Sequence, residues 1–341
     1  KKRIAKKLSE LSADDSFETE KRKRFKEQAQ KAEHAGISTI HSFCTRVLKR
    51  YFHEAGLDPS FRAADDAETE ILRQEAMDEL FEQRCEAEES AFTDLTELFG
   101  GEYRLIQLIE DLYEFMGSQP DPKAFLEAAV QNFFIPPDKI ATAEPYASMV
   151  SKAKKEVKCA IDRLLSTMDW DIPEESRDVL DADLMQVRSL NLYHDFERYR
   201  EALYGISFAK LTWPGGMTHE PEAEAVKTAR KALKNLIDKQ KSIFIRSLEQ
   251  ESELLRFIAP KAELLKELIQ DFDERYAAKK SEVGIIDYTD MEHKALGVLS
   301  LPAAQEEYRK KFDYIFIDEY QDANEVQESI LQKICREDNL F

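Results

Sequence analysis

Glycine is scarce in this chain, and its placement excludes more than its number. The ten glycines of the 341 residues fall at 36, 56, 100, 101, 117, 205, 215, 216, 284 and 297, and none precedes a lysine. The phosphate-cradling loop G-x-x-x-x-G-K-[ST] is therefore absent, and with it the backbone amides that would wrap a nucleoside triphosphate. No run of about 18 apolar residues occurs, so no membrane-spanning helix is expected. The opening KKRIAKKL lacks the apolar core of a secretory leader. Four cysteines, Cys44, Cys85, Cys159 and Cys335, lie far apart without a C-x-x-C pair. That spacing offers no zinc ribbon and suits reduced thiols in a cytoplasmic protein. Positive charge is in deficit too: 49 Lys and Arg face 68 Asp and Glu, a net −19.

The sum of charges argues against nucleic acid, because phosphate binding rests on Lys and Arg. Distribution matters more. Lys1-Lys2-Arg3, Lys6-Lys7 and Lys21-Arg22-Lys23-Arg24 crowd the first 50 residues, whereas acid concentrates over 65–89 and 169–183. A basic DNA face on an acidic protein is compatible with this pattern.

With 43% hydrophobic and 34% charged residues, the chain reads as mainly helical. Residues 1–35 predict helix with a turn near Ala13-Asp14-Asp15-Ser16. Ile37-Ser38-Thr39-Ile40 predicts a short strand, after which Ser42 caps a helix. Asp65-Asp66 starts another helix with Ile71, Leu72, Ala76 and Leu80 on one stripe. Further helices are expected near 66–88, 102–117, 121–133, 145–168, 174–204 and 221–280, with breaks at Gly100-Gly101, Ser118-Gln119-Pro120, Ile135-Pro136-Pro137 and Trp213-Pro214-Gly215-Gly216. Almost no strand signal interrupts this stretch. Asp287 then caps a helix to Leu299, and Asp290 stands in its first turn, where negative charge is favoured. A metal role for Asp287 and Asp290 is the weaker reading.

The most informative stretch is Phe312–Asn324, FDYIFIDEYQDAN. Asp313-Tyr314-Ile315-Phe316-Ile317 reads as a buried parallel strand that ends at Asp318-Glu319. In open α/β sheets, ligands gather at the carboxyl ends of strands. An aspartate there suits Mg²⁺ on phosphates, and an adjacent glutamate suits the attacking water.

The run DEYQDAN resembles motif II of superfamily 1 helicases of the UvrD/RecB type. ISTIHSFCTRVLKR, residues 37–50, resembles motif Ib of the same helicases, and GIIDYTDMEHKALGVL, residues 284–299, resembles the segment that precedes motif II. Met291 stands where Leu is usual, and Ala323 where Thr is common. SFCTRVLKRYFHEAGLDPSFRAADDAETEILRQEAMDELFEQ and LIEDLYEFMGSQPDPKAFL are similar to AddA-type subunits of bacterial helicase–nucleases.

The resemblance implies an α/β P-loop (RecA-like) motor domain, present in part and interrupted by a large all-helical insertion. Residues 1–60 and 284–341 would be motor, and residues 61–283 insertion. It implies ATP and Mg²⁺ as cofactors, with Asp318 the Mg²⁺ ligand, Glu319 the catalytic base, and Gln321 and Asp322 coupling nucleotide state to the motor. Thr39, His41, Ser42 and Arg46 would meet DNA, since hydroxyl, imidazole and guanidinium groups can donate to phosphate oxygens. Single-stranded and duplex-end DNA and an AddB-like second subunit would be partners, with no membrane. The location would be the bacterial cytoplasm, in association with the nucleoid. The chain reads as a piece of a larger enzyme, inactive alone. Two alternatives stay open: a UvrD-like helicase without nuclease, and a non-catalytic DNA-binding module.

Overall fold

The computed structural model describes residues 2–14, 16–34, 36–214, 217 and 220–341. The turn expected at Asp15 and the break at Gly215-Gly216 fall outside the described residues. The chain divides into two compact units. One comprises Lys1–Ala87, Tyr103–Pro122 and Gln270–Phe341; the other comprises Glu88–Glu102 and Lys123–Ile269.

The first unit begins with helices α1 (Lys2–Ala13), α2 (Thr19–His34) and α3 (Ile40–Arg50). The strand β1 (Arg62–Ala63) leads into α4 (Asp66–Glu86), whose start is fixed by a reciprocal capping box between Asp65 and Glu68. Helix α5 (Ser90–Phe99) belongs to the second unit and ends at Gly100, whose φ of 84° is a left-handed cap that only glycine adopts freely. Helix α6 (Glu102–Gly117) runs almost wholly in the first unit.

The rest of the second unit is a helical bundle. It contains α7 (Pro122–Gln131), α8 (Glu144–Ser166), α9 (Glu174–Ser189), α10 (Phe196–Gly205) and α11 (Pro221–Ile243). Val150, Val157, Ile161 and Leu164 recur at helical spacing along α8 and pack with Leu180, Leu184 and Val187 of α9. Phe196, Tyr199 and Leu203 of α10 and Val226, Leu233 and Ile237 of α11 complete that core. Burying each such side chain stabilises by about 1.5–3 kcal/mol, which is why the apolar stripe decides the fold here. The expected single helix over 174–204 is two, because α9 passes through a 3-10 turn at Leu190–Leu192 and Asp195 re-caps α10.

Helix α12 (Leu248–Glu282) continues from the second unit into the first despite Pro260. The first unit then closes with β2 (Ile285–Ile286), α13 (Tyr288–Leu299), α14 (Pro302–Lys311) and α15 (Glu325–Ile334). Its core joins Cys44, Val47 and Leu48 of α3, Met291, Ala295 and Leu299 of α13, Tyr308 of α14, and Val326, Ile330 and Ile334 of α15.

The α/β architecture is not seen among the described residues. The two strands hold two residues each and pair in parallel, Arg62 with Ile285 and Ala63 with Ile286. Residues 37–39 form no strand: Thr39 is extended but unpaired in a sheet, and Ile40 already begins α3. The buried strand expected over 313–317 is an extended segment with a single bridge, Ile315 to Leu340. Its neighbour supplies three hydrogen bonds: Ile315 N to Asn339 O, Phe341 N to Ile315 O, and Ile317 N to Phe341 O. Ile315 and Ile317 pack against the core, but Tyr314 and Phe316 face outward and are 66% and 76% exposed. Alternation puts every second side chain on the far face, and no described element covers that face.

Candidate functional site

Thr39 has extended backbone and accepts a hydrogen bond from Ser42 N, so it, not Ser42, caps α3. The reason is geometric: the cap residue reaches the amide three positions on, which makes Thr39 and Ser42 one T-x-x-S unit. Thr39 Oγ1 also donates to Ser42 Oγ at 3.0 Å, and Arg46 on the next turn donates to Ser38 Oγ at 2.8 Å. Thr39, Ser42 and Arg46 are all exposed. They therefore form a polar face at the positive end of a helix, which favours anions.

His41 points elsewhere. Its Nε2 lies 2.9 Å from Glu292 Oε1, and its ring sits 4.6 Å from that of Tyr288. Glu292 is only 4% exposed. The same Oε1 accepts from Gln327 Nε2 at 2.7 Å, and Oε2 accepts from Asn324 Nδ2 at 3.1 Å. Burial pushes the Glu292 carboxyl up, but the bonds from His41, Asn324 and Gln327 outweigh it and hold the group below its ordinary value. One ionised carboxylate thus joins α3, α13 and α15. Burial, and secondarily the Glu292 charge, pushes the neighbouring Cys44 thiol up to about 12, so it is no nucleophile.

Asp287 caps α13 reciprocally with Asp290, as their spacing predicts. Lys280 Nζ bridges the two at 2.9 and 2.6 Å. That ammonium occupies the place a metal would need. Both acids are structural.

After Ile317 the chain turns through Asp318 and Glu319. Glu319 adopts a left-handed conformation, φ 55° and ψ 44°, before a 3-10 turn over Tyr320–Asp322. Non-glycine residues rarely take that conformation, and such strain concentrates at working sites. Asn324 then caps α15 by accepting from Gln327 N at 2.8 Å. Asp318, Glu319 and Gln321 are exposed. The Asp318 and Glu319 side chains have no hydrogen-bond or ion-pair partner among the described residues, whereas Asp287, Asp290 and Glu292 are all engaged. Two free carboxylates side by side offer oxygen alone, the donor set of a hard cation that keeps several waters. They fit Mg²⁺ on a phosphate. No group of three or more His, Cys, Asp or Glu suited to a metal occurs among the described residues.

The sequence pattern thus found the Asp287–Asp290 cap of α13. It did not single out Glu292 or Gln327. A signal existed: Glu292 lies three and four residues before Ala295 and Leu296 and seven before Leu299, on the buried stripe of α13.

The profile of the UvrD/REP helicase N-terminal domain matches residues 1–341. The chain belongs to the UvrD/REP helicases. Similar relatives include an ATP-dependent helicase/nuclease subunit of Alkaliphilus oremlandii, 36% identical over 318 residues, covering 90% of this chain and 26% of that protein. The corresponding helicase/nuclease subunit from Alkaliphilus metalliredigens is 35% identical over 340 residues, covering 95% and 28%. That of Bacillus licheniformis is 32% identical over 334 residues, covering 90% and 27%. This UvrD/REP segment therefore spans about a quarter of the length of the curated relatives it matches. No helix among its described residues is long and apolar enough to cross a membrane.

Proposed function

We propose that this chain carries the magnesium-and-water half of the nucleotide site in an ATP-driven DNA helicase–nuclease subunit. The whole enzyme would act on single-stranded and duplex-end DNA in double-strand-break repair, with an AddB-like second subunit, in the bacterial cytoplasm at the nucleoid. The α/β motor would comprise residues 1–60 and 284–341, with 61–283 its helical insertion. The observation that carries the reading is the free Asp318–Glu319 pair, displayed on a strained turn between an extended segment and a capped helix. The relatives' description as ATP-dependent helicase/nuclease subunits supports it.

In this reading Asp318 holds Mg²⁺, which when bound would neutralise charge on the ATP phosphates. Glu319 orients and deprotonates the attacking water from the adjacent position. Gln321, exposed on the following turn, relays nucleotide state to the rest of the motor. Thr39, Ser42 and Arg46 donate to the phosphates of the passing strand at the N-terminal end of α3, and His41 stands beside them. The segment alone has no glycine–lysine phosphate loop and is expected neither to hydrolyse ATP nor to unwind DNA.

The test is ATPase activity of the full-length enzyme with and without single-stranded DNA, wild type beside Glu319→Gln. Stimulation by DNA in the wild type, with turnover down about 10²–10⁴-fold in the variant and ATP binding retained, is the expected result. Near-normal turnover in the variant removes Glu319 from the chemistry. A wild type indifferent to DNA removes the motor reading.

A further inference from the structure

Glu292 is one of the buried charged groups that the proposed roles leave without a task. Glu292 sits on the apolar stripe of α13 beside Met291, Ala295 and Leu296, all buried. A leucine or methionine would fill such a position at less cost, because burying a charge carries a penalty of several kcal/mol before any partner is counted. The position nonetheless carries a charge, and two of its three donors come from the two segments the sequence marks as functional. His41 belongs to the stretch 37–50, and Asn324 is the last residue of DEYQDAN. Gln327 stands one turn further on, in α15.

The hydrogen-bond inventory makes the arrangement a linkage, not mere filling. An ionised carboxylate only accepts, so His41, Gln327 and Asn324 all donate to Glu292. Oε1 carries two of these bonds, at 2.9 and 2.7 Å, and Oε2 carries one at 3.1 Å. The Asn324 amide works at both ends: Nδ2 grips Glu292 while Oδ1 caps α15 by accepting from Gln327 N at 2.8 Å. A movement of His41 toward a DNA phosphate would take one donor from Oε1. The carboxylate would then rebalance onto Gln327 and Asn324, at the start of α15 and directly behind the turn that displays Asp318 and Glu319.

We infer that Glu292 is a positioning residue that couples DNA occupancy at His41 to the geometry of the 318–324 turn. This rests on the proposed function, which supplies DNA at α3 and ATP at Asp318–Glu319. Glu292 touches neither ligand; it acts through His41 on one side and Asn324 on the other.

The experiment uses the full-length enzyme with Glu292→Gln, Asn324→Asp and the two combined. It reads basal turnover, turnover saturated with single-stranded DNA, and KM for ATP. Asn324→Asp keeps a good helix cap but sets a second carboxylate against Glu292. Its DNA stimulation is expected to fall about tenfold, with basal turnover and KM within about twofold of wild type. Glu292→Gln alone should lower stimulation in the same selective way, since it removes the charge. The double variant should regain most of the stimulation, because a glutamine amide there can donate to the new carboxylate while its oxygen still accepts from His41 and Gln327. Unchanged stimulation in both single variants overturns the inference. So does parallel loss of basal and stimulated turnover, which would make Glu292 structural only. A wild type without DNA stimulation is the separate failure of the functional reading, and it is visible before any variant is made.

Discussion

Lys280 Nζ lies 2.9 Å from Asp287 Oδ2, and both side chains are buried. The ammonium also stands 2.6 Å from Asp290 Oδ2 and 4.2 Å from the centre of the Tyr276 ring. Burial pushes the Asp287 carboxyl up, but Lys280 and the Asp290 amide more than offset it, so Asp287 ionises below its ordinary value. Asp290 is held above its ordinary value, because burial and the Asp287 charge outweigh the help from Lys280. Two acids at the entry to α13 therefore depend on one cation.

Lys280→Met is expected to destabilise the first unit by about 3–5 kcal/mol near neutral pH, the cost of leaving buried charge without its partner. Without the ammonium, both carboxyls ionise less readily in the folded than in the unfolded state. The penalty is then full above the raised folded-state values and fades as pH falls from them to the unfolded carboxylate range. Hydrogen exchange of the α13 amides at about pH 7 and about pH 4 measures it. A deficit that grows on acidification contradicts the assignment.

The start of α4 makes the opposite prediction. Glu68 accepts from Arg62 Nη1 at 2.6 Å and from Asp65 N at 3.2 Å. The bond from Arg62, then that from the Asp65 amide, holds its carboxyl at about 2, well below the ordinary 4.5. A depressed acid contributes stability that is fully present above 4.5 and is lost as pH falls through about 2. Carboxyl titration by NMR should find Glu68 ionising in that window, with the first amides of α4 losing protection in step. Arg62→Gln should move the midpoint back toward 4.5. An unmoved midpoint assigns the shift to the capping box alone.

Caps and stripes were legible in the sequence because they are local. Asp65 and Glu68, or Asp287 and Asp290, lie three residues apart, and that spacing alone places a side chain on a backbone amide. Asn324 before Glu325 is equally readable. Thr39 was missed for Ser42 because the β-branched run Ile37–Ile40 reads as strand, whereas Ile40 is already the first residue of α3, which puts the cap at Thr39. The strand over 313–317 failed for a different reason. Its pattern describes a residue run that is buried when both sides are covered, and whether they are covered is a property of neighbours, not of the run. Glu292 depends most on tertiary structure: its partners His41 and Gln327 come from other helices, so spacing along α13 shows only that it is buried. The acid pair itself was readable as a string, while its lack of partners required the fold.

In the second unit, Tyr199 Oη donates to Gln240 Oε1 at 2.9 Å, and Gln240 Nε2 donates to Ala153 O at 3.0 Å. Tyr199 and Gln240 are almost fully buried, and burial first of all pushes the Tyr199 hydroxyl well above its ordinary range. The hydroxyl therefore stays protonated as the donor. Tyr199→Phe keeps the ring but strands the Gln240 oxygen in an apolar surround, at an expected cost of about 1–3 kcal/mol. Gln240→Met should cost a similar amount by stranding the Tyr199 hydroxyl. The two together should cost less than their sum, because both polar ends leave the core at once. Trp170 and Trp213 stack 5.7 Å apart within this unit, so tryptophan fluorescence in urea reports its unfolding directly. Strict additivity would mean that the hydroxyl and the amide are not partners.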